Sequence, residues 1–210
     1  MTRWETLAAE ATAAAPSFVV WKEGGDLDAL VAERDRPAIA AVVDRWAAGE
    51  GCTAVVRCTH VPGRLVLVGV AGDELLQVDL VAFRPAGIGS WFDADSVAAA
   101  AYVDEREVRR LTPGAAALLR ALDDPGDLEA RELLDDEAHA LAERLPRPLA
   151  LHAARGSAAA RVLGAAWPTR ARSWRRYRPC AVTRALARGR RAGPGWLDEV
   201  RATHEVRDVA

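Results

Sequence analysis

The chain has 210 residues, half of them apolar and 28% charged, a globular composition that excludes a disordered chain. No stretch approaches the roughly 18 apolar residues of a membrane helix, and the first residues carry acids and no apolar run, which argues against a spanning protein and a secretory signal. The formal net charge is −2, yet 13 arginines and no acid fall between Arg144 and Leu197, so the rest of the chain carries −15. Such a basic stretch suits nucleic acid, nucleotide phosphate or another polyanion, or else docks on the acidic body of its own chain.

The first element is a helix over residues 2–15, stopped by Pro16. Ser17–Trp21 is β-branched and aromatic, which predicts a strand, and Glu23-Gly24-Gly25 is a turn. Asp26–Ala32 is a second strand. Pro37 suits a first helical turn, and Ile39, Val42, Val43 and Trp46 recur at helical spacing, so 36–48 is an amphipathic helix. Strands follow at Cys52–His60, Arg64–Val70 and Glu74–Arg84, joined by Val61-Pro62-Gly63 and Ala71-Gly72-Asp73 as hairpin turns. From Asp93 onward the pattern is helical: 94–103, 113–123, 127–144, 147–164, 169–190 and 195–205.

This order predicts an α+β protein. Residues 1–92 form a mixed or antiparallel five-strand sheet with flanking helices. Residues 93–210 form an α-helical domain with an Arg-rich tail over 144–197. Three cysteines, Cys52, Cys58 and Cys180, are odd in number and lack CxxC spacing. They speak against a disulfide framework and a zinc site and fit a reducing cytoplasm.

The densest chemistry is Gly24-Gly25-Asp26-Leu27-Asp28. On a strand, Asp26 and Asp28 point to one side, about 7 Å apart, and repel unless a cation lies between them. Hard oxygen ligands so placed suit Mg²⁺. Asp79 is a third acid, flanked by Val78 and Leu80 in an otherwise apolar strand where a carboxylate is costly. It makes sense beside Asp26 and Asp28 around a metal. The plainer alternative gives Asp26 a turn role and pairs Asp79 with Arg57 or Arg64 across strands.

The run Val19–Val31 with its Gly-Gly turn and Asp-x-Asp strand, then a helix, hairpin strands and Gln77-Val78-Asp79-Leu80, resembles the nucleotidyltransferase superfamily of DNA polymerase beta, in particular its small bacterial members. The resemblance covers about residues 17–145. It implies a two-metal Mg²⁺ site at Asp26, Asp28 and Asp79. The reaction would pass a nucleoside monophosphate from an NTP to a hydroxyl on a small molecule, sugar or RNA. Gly24 and Gly25 would lie against the phosphates, with Lys22, the one lysine, and Arg57 as further nucleotide contacts. Family members carry the Gly-Gly turn several residues before the first Asp, whereas Gly25 here abuts Asp26. A non-catalytic binding module on the same fold, and a toxin–antitoxin type member that acts on or binds RNA, are the alternatives.

The segment Trp167–Arg178 interleaves aromatics with arginines, a composition that stacks bases and holds phosphates, or packs its rings on the helical domain. An RNA or phosphorylated acceptor would fit it. His60, beside Cys58, reads as structural. A cytoplasmic protein with no membrane partner is expected.

Overall fold

The computed structural model describes residues 2–23, 25–60, 64–81, 94–123, 129, 132–134, 136–144 and 179–209. Helix α1 (Arg3–Ala14) begins with a capping box. Glu5 N donates to Thr2 Oγ1 at 3.3 Å, and Thr2 N donates to Glu5 Oε2 at 2.7 Å. Strands β1 (Val19–Glu23) and β2 (Leu27–Leu30) form an antiparallel hairpin. Helix α2 (Arg36–Gly49) follows, with Pro37 in its first turn, and Gly51 at φ +74° turns the chain into β3 (Ala54–Cys58). Strands β4 (Arg64–Ala71) and β5 (Glu74–Val81) join through Gly72 at φ +63°.

The chain beyond residue 93 adds helix α3 (Ala94–Ala99), strands β6 (Tyr102–Val103) and β7 (Arg109–Arg110), and helices α4 (Pro113–Asp123) and α5 (Asp136–Arg144). Last come α6 (Ala181–Ala187), α7 (Trp196–Arg201) and β8 (Glu205–Asp208). The protein is thus mixed α+β. Among the described residues, eight strands lie in the order β6-β7-β1-β2-β5-β4-β3-β8. The pairs β2–β5 and β1–β7 are parallel and the others antiparallel.

All five strands expected from the sequence form, and they occupy the middle of this wider sheet. The later half of the chain is not purely helical. The expected helix 94–103 stops at Ala99 and gives way to β6, and the expected helix 195–205 stops at Arg201 and gives way to β8. Alternation of Val206 with charged neighbours is a weak strand signal by itself. The open edge of β3 supplies the missing hydrogen bonds, with Val206 opposite Val56. The expected helix 147–164, residues 169–178 of the expected helix 169–190, and the Trp167–Arg178 segment lie outside the described residues, and within 179–190 the helix is the short α6.

The two faces of the sheet are covered differently. Helices α1 and α2 pack on one face, over Leu27, Ala29, Leu67, Val78 and Leu80, in one continuous core. The Trp4 and Trp46 rings meet there at 5.2 Å. The other face carries two separate clusters. Val19, Trp21, Leu30 and Val81 pack with α3, α4 and α5, and Val56, Val66, Val68 and Leu75 pack with α6 and α7. Among the described residues, no helix is long and apolar enough to cross a membrane.

Candidate functional site

Between those two clusters runs a row of charge. In the parallel β2–β5 pair Asp28 stands directly opposite Asp79. Neighbouring strands are about 4.8 Å apart, so the two carboxylates rise side by side from one face. Asp26, two residues before Asp28, shares that face at the mouth of the β1–β2 turn. Asp28 and Asp79 are each 5% exposed.

Burial pushes the Asp28 carboxyl up to about 7, and the charges of Asp79 and Asp26 push the same way against the pull of Lys22 and Arg64. Basic and amide groups surround the acids. Lys22 Nζ lies 3.9 Å from Asp28 Oδ2. Arg64 Nη1 donates to Asp79 Oδ2 at 3.1 Å, and Gln77 Nε2 donates to Asp79 Oδ1 at 2.9 Å.

Lys22 reaches this face because of an irregularity in β1. Val20 pairs with Ala29 on the α1/α2 side, and two residues on, regular alternation would return Lys22 to that side. The register shifts between them, so Lys22 pairs instead with Asp28. Bulges commonly re-aim a side chain in this way beside functional sites.

Arg190 was not among the residues singled out from the sequence. Its Nη2 lies 3.0 Å from Asp26 Oδ1, and its Nε donates to Gln77 Oε1 at 3.3 Å. Its guanidinium covers Gly25 so closely that a Cβ there would collide with it. The backbone aims it deliberately. Arg190 has φ +57°, uncommon for a non-glycine residue, follows Gly189 at φ +93°, and is fixed by Leu75 N donating to its carbonyl at 3.0 Å. A cavity of about 680 Å³ opens beside it, lined by Gly25, Arg190, Arg191, Arg3 and Thr2 among others. The signal in the sequence was only a Gly-Arg-Arg within a basic stretch. Nothing local tied position 190 to position 26.

Of the expected site residues, Asp26, Asp28, Asp79, Gly25 and Lys22 are brought together. Arg57 is not. It shares a row with Leu67, Val78 and Leu27, which is the opposite face. There it pairs with Asp44 of α2 at 3.2 Å and Glu205 of β8 at 3.0 Å, and Arg207 joins Asp44 at 2.6 Å. Arg57 therefore ties helix and edge strand to the sheet, and of the two arginines considered for Asp79 the partner is Arg64. Gly24 lies outside the described residues. In the Arg-rich stretch, Arg184, Arg190 and Arg191 dock on Glu199, Asp26 and Asp73 of their own chain.

No family model, curated protein or solved structure matches the chain. The site therefore stands on its own geometry. Carboxylates are the donors that a hard divalent cation takes. Three carboxylates share a face, and Asp28, one of the two buried ones, carries a pKa raised first by burial and then by the charges of the other two.

Proposed function

We propose that the protein is a Mg²⁺-dependent nucleotidyltransferase that passes a nucleoside monophosphate from an NTP to a hydroxyl acceptor. The observation that carries this reading is the pairing of Asp28 with Asp79 across two adjacent parallel strands, with Asp26 on the same side. Two buried acids set side by side are costly as structure alone, and a cation-binding site gives them a purpose.

Asp26, Asp28 and Asp79 would hold the ion. Bound there, Mg²⁺ would neutralise phosphate charge and polarise the reacting phosphorus. Lys22 beside Asp28 and Arg190 beside Asp26 would orient phosphate oxygens by charge-assisted hydrogen bonds. Gly25 leaves room for a phosphate that a side chain would fill, once the Arg190 guanidinium swings from Asp26 onto the ligand. Asp79, steadied by Arg64 and Gln77, would accept the proton of the acceptor hydroxyl.

Arg190 also favours a second reading. Closed over Gly25 and Asp26, it suits a module of the same fold that binds without catalysis. Thermal stability with each of the four NTPs, with and without Mg²⁺, separates the two. The enzyme reading expects a Mg²⁺-dependent rise with one or two NTPs in the wild type and none in Asp28→Asn. The same protein with no response to any NTP would point to the non-catalytic module.

A further inference from the structure

A second group of ligating side chains lies on the same sheet face, two strands from Asp79. Cys58 ends β3, Cys180 precedes α6, and His204 stands between α7 and β8. Their ligand atoms all lie within 4.8 Å of one another. We propose that Cys58, Cys180 and His204 bind a soft divalent metal, Zn²⁺ foremost, which fastens the α6–α7–β8 unit to the sheet.

The distances carry the argument. The two Sγ atoms are 3.7 Å apart. A disulfide requires about 2.05 Å. Two thiolates on one tetrahedral zinc, at about 2.3 Å each, stand about 3.8 Å apart. The sulfur pair is thus already spaced as the edge of a zinc tetrahedron. The Thr203 hydroxyl lies 2.8 Å from His204 Nδ1, which leaves Nε2 for the ion. A hydrogen bond to the other ring nitrogen is the usual way a protein orients a ligating imidazole.

The fourth position faces a cavity of about 890 Å³ that His60 and Glu199 also line. A water or His60 completes the shell there. Thiolate donors exclude Mg²⁺ from this site as firmly as carboxylates attract it to the other. Each thiol loses a proton to solvent as the metal binds, so affinity rises with pH.

The three ligands come from separate stretches of chain, and that is how the site escaped the sequence. Cys58 and Cys180 are 122 positions apart, so no CxxC spacing exists to be read. Each ligand lies where the C-terminal unit meets the sheet, and one ion would cross-link all three.

The test is Co²⁺ titration of the full-length, reduced protein, followed by thiolate-to-cobalt charge transfer and visible d–d bands. One equivalent of Co²⁺ with tetrahedral d–d intensity, displaced by Zn²⁺, is expected. Cys180→Ser and His204→Gln should each weaken binding by about tenfold or more. Cys52→Ala, which removes the cysteine outside the cluster, should leave it unchanged. Circular dichroism of each variant establishes that it is folded. Absence of charge transfer in the wild type overturns the proposal, as does unchanged affinity in a folded Cys180→Ser.

Discussion

The two faces of the sheet solve different problems. The face under α1 and α2 is apolar from Leu27 through Val78 to Leu67, and charge enters it at β3, where Arg57 meets Asp44. The opposite face is apolar only at its two ends, and the acidic row of Asp26, Asp28 and Asp79 divides them. Apolar burial contributes about 25 cal/mol per Å² wherever it occurs, so the apolar stretch of this face supplies stability apart from the ion pairs at its β3–β8 edge. The divided face gives up that contribution along one row and sets carboxylates beside basic groups there instead. A parallel strand pair at the centre of the sheet makes this possible, because it sets Asp28 and Asp79 level with each other.

The largest expected effect comes from breaking the continuous face. Leu67→Ala, at a fully buried position, should cost about 3 kcal/mol in chemical denaturation. Mg²⁺ and nucleotide responses should survive wherever the variant is folded, since Leu67 points away from the acids. A loss of those responses in the folded variant would mean that the two faces are not independent.

The divided face should respond in the opposite direction. The folded protein holds the Asp28 proton more tightly than the unfolded chain, with a pKa of about 7 against 3.8. Stability from that proton is fully present below about pH 4 and is lost as pH rises through about 7. Asp28→Asn cannot ionise. Relative to wild type it should gain on the order of 2–4 kcal/mol between pH 4 and pH 8, as measured by urea denaturation at each pH. Millimolar Mg²⁺ at pH 8 should restore much of the difference to the wild type and leave the variant unmoved. A flat difference across pH would show that Asp28 is ionised in the apo protein at no cost.

The smallest effect belongs to the helix that covers the continuous face. Thr2→Ala removes the capping hydroxyl of α1 and should lower stability by about 1 kcal/mol, with nucleotide response unchanged. Thr2 also borders the cavity beside Arg190. A weakened nucleotide response in Thr2→Ala would therefore extend the binding region to the start of α1.

Much of the central sheet was legible because each strand carries its own signal. Val-rich runs between Gly-containing turns place β3, β4 and β5, and the SFVVW run places β1. The mixed character followed from the crossover helix α2, which carries the chain from β2 to β3 and leaves β2 parallel to β5. The acids were legible for a related reason. A carboxylate within an apolar strand breaks the local pattern, and Asp79 does so visibly. β6, β7 and β8 were not legible. Two or four residues carry too little periodicity, and their pairing is decided by which strand edge lies open nearby.

By itself the sequence determined the five central strands, the α2 crossover and the common side of Asp26 and Asp28, since alternation along a strand is a local property. Only the tertiary structure decided which arginine meets which acid. Arg57 and Arg64 look equivalent along the chain, yet sheet register turns Arg57 to Asp44 and Arg64 to Asp79. Tertiary structure also brought Arg190 to Asp26 and gathered Cys58, Cys180 and His204. Those meetings depend on how distant segments dock. Such docking is governed by the summed burial of whole helices and strand edges, and no local spacing encodes it.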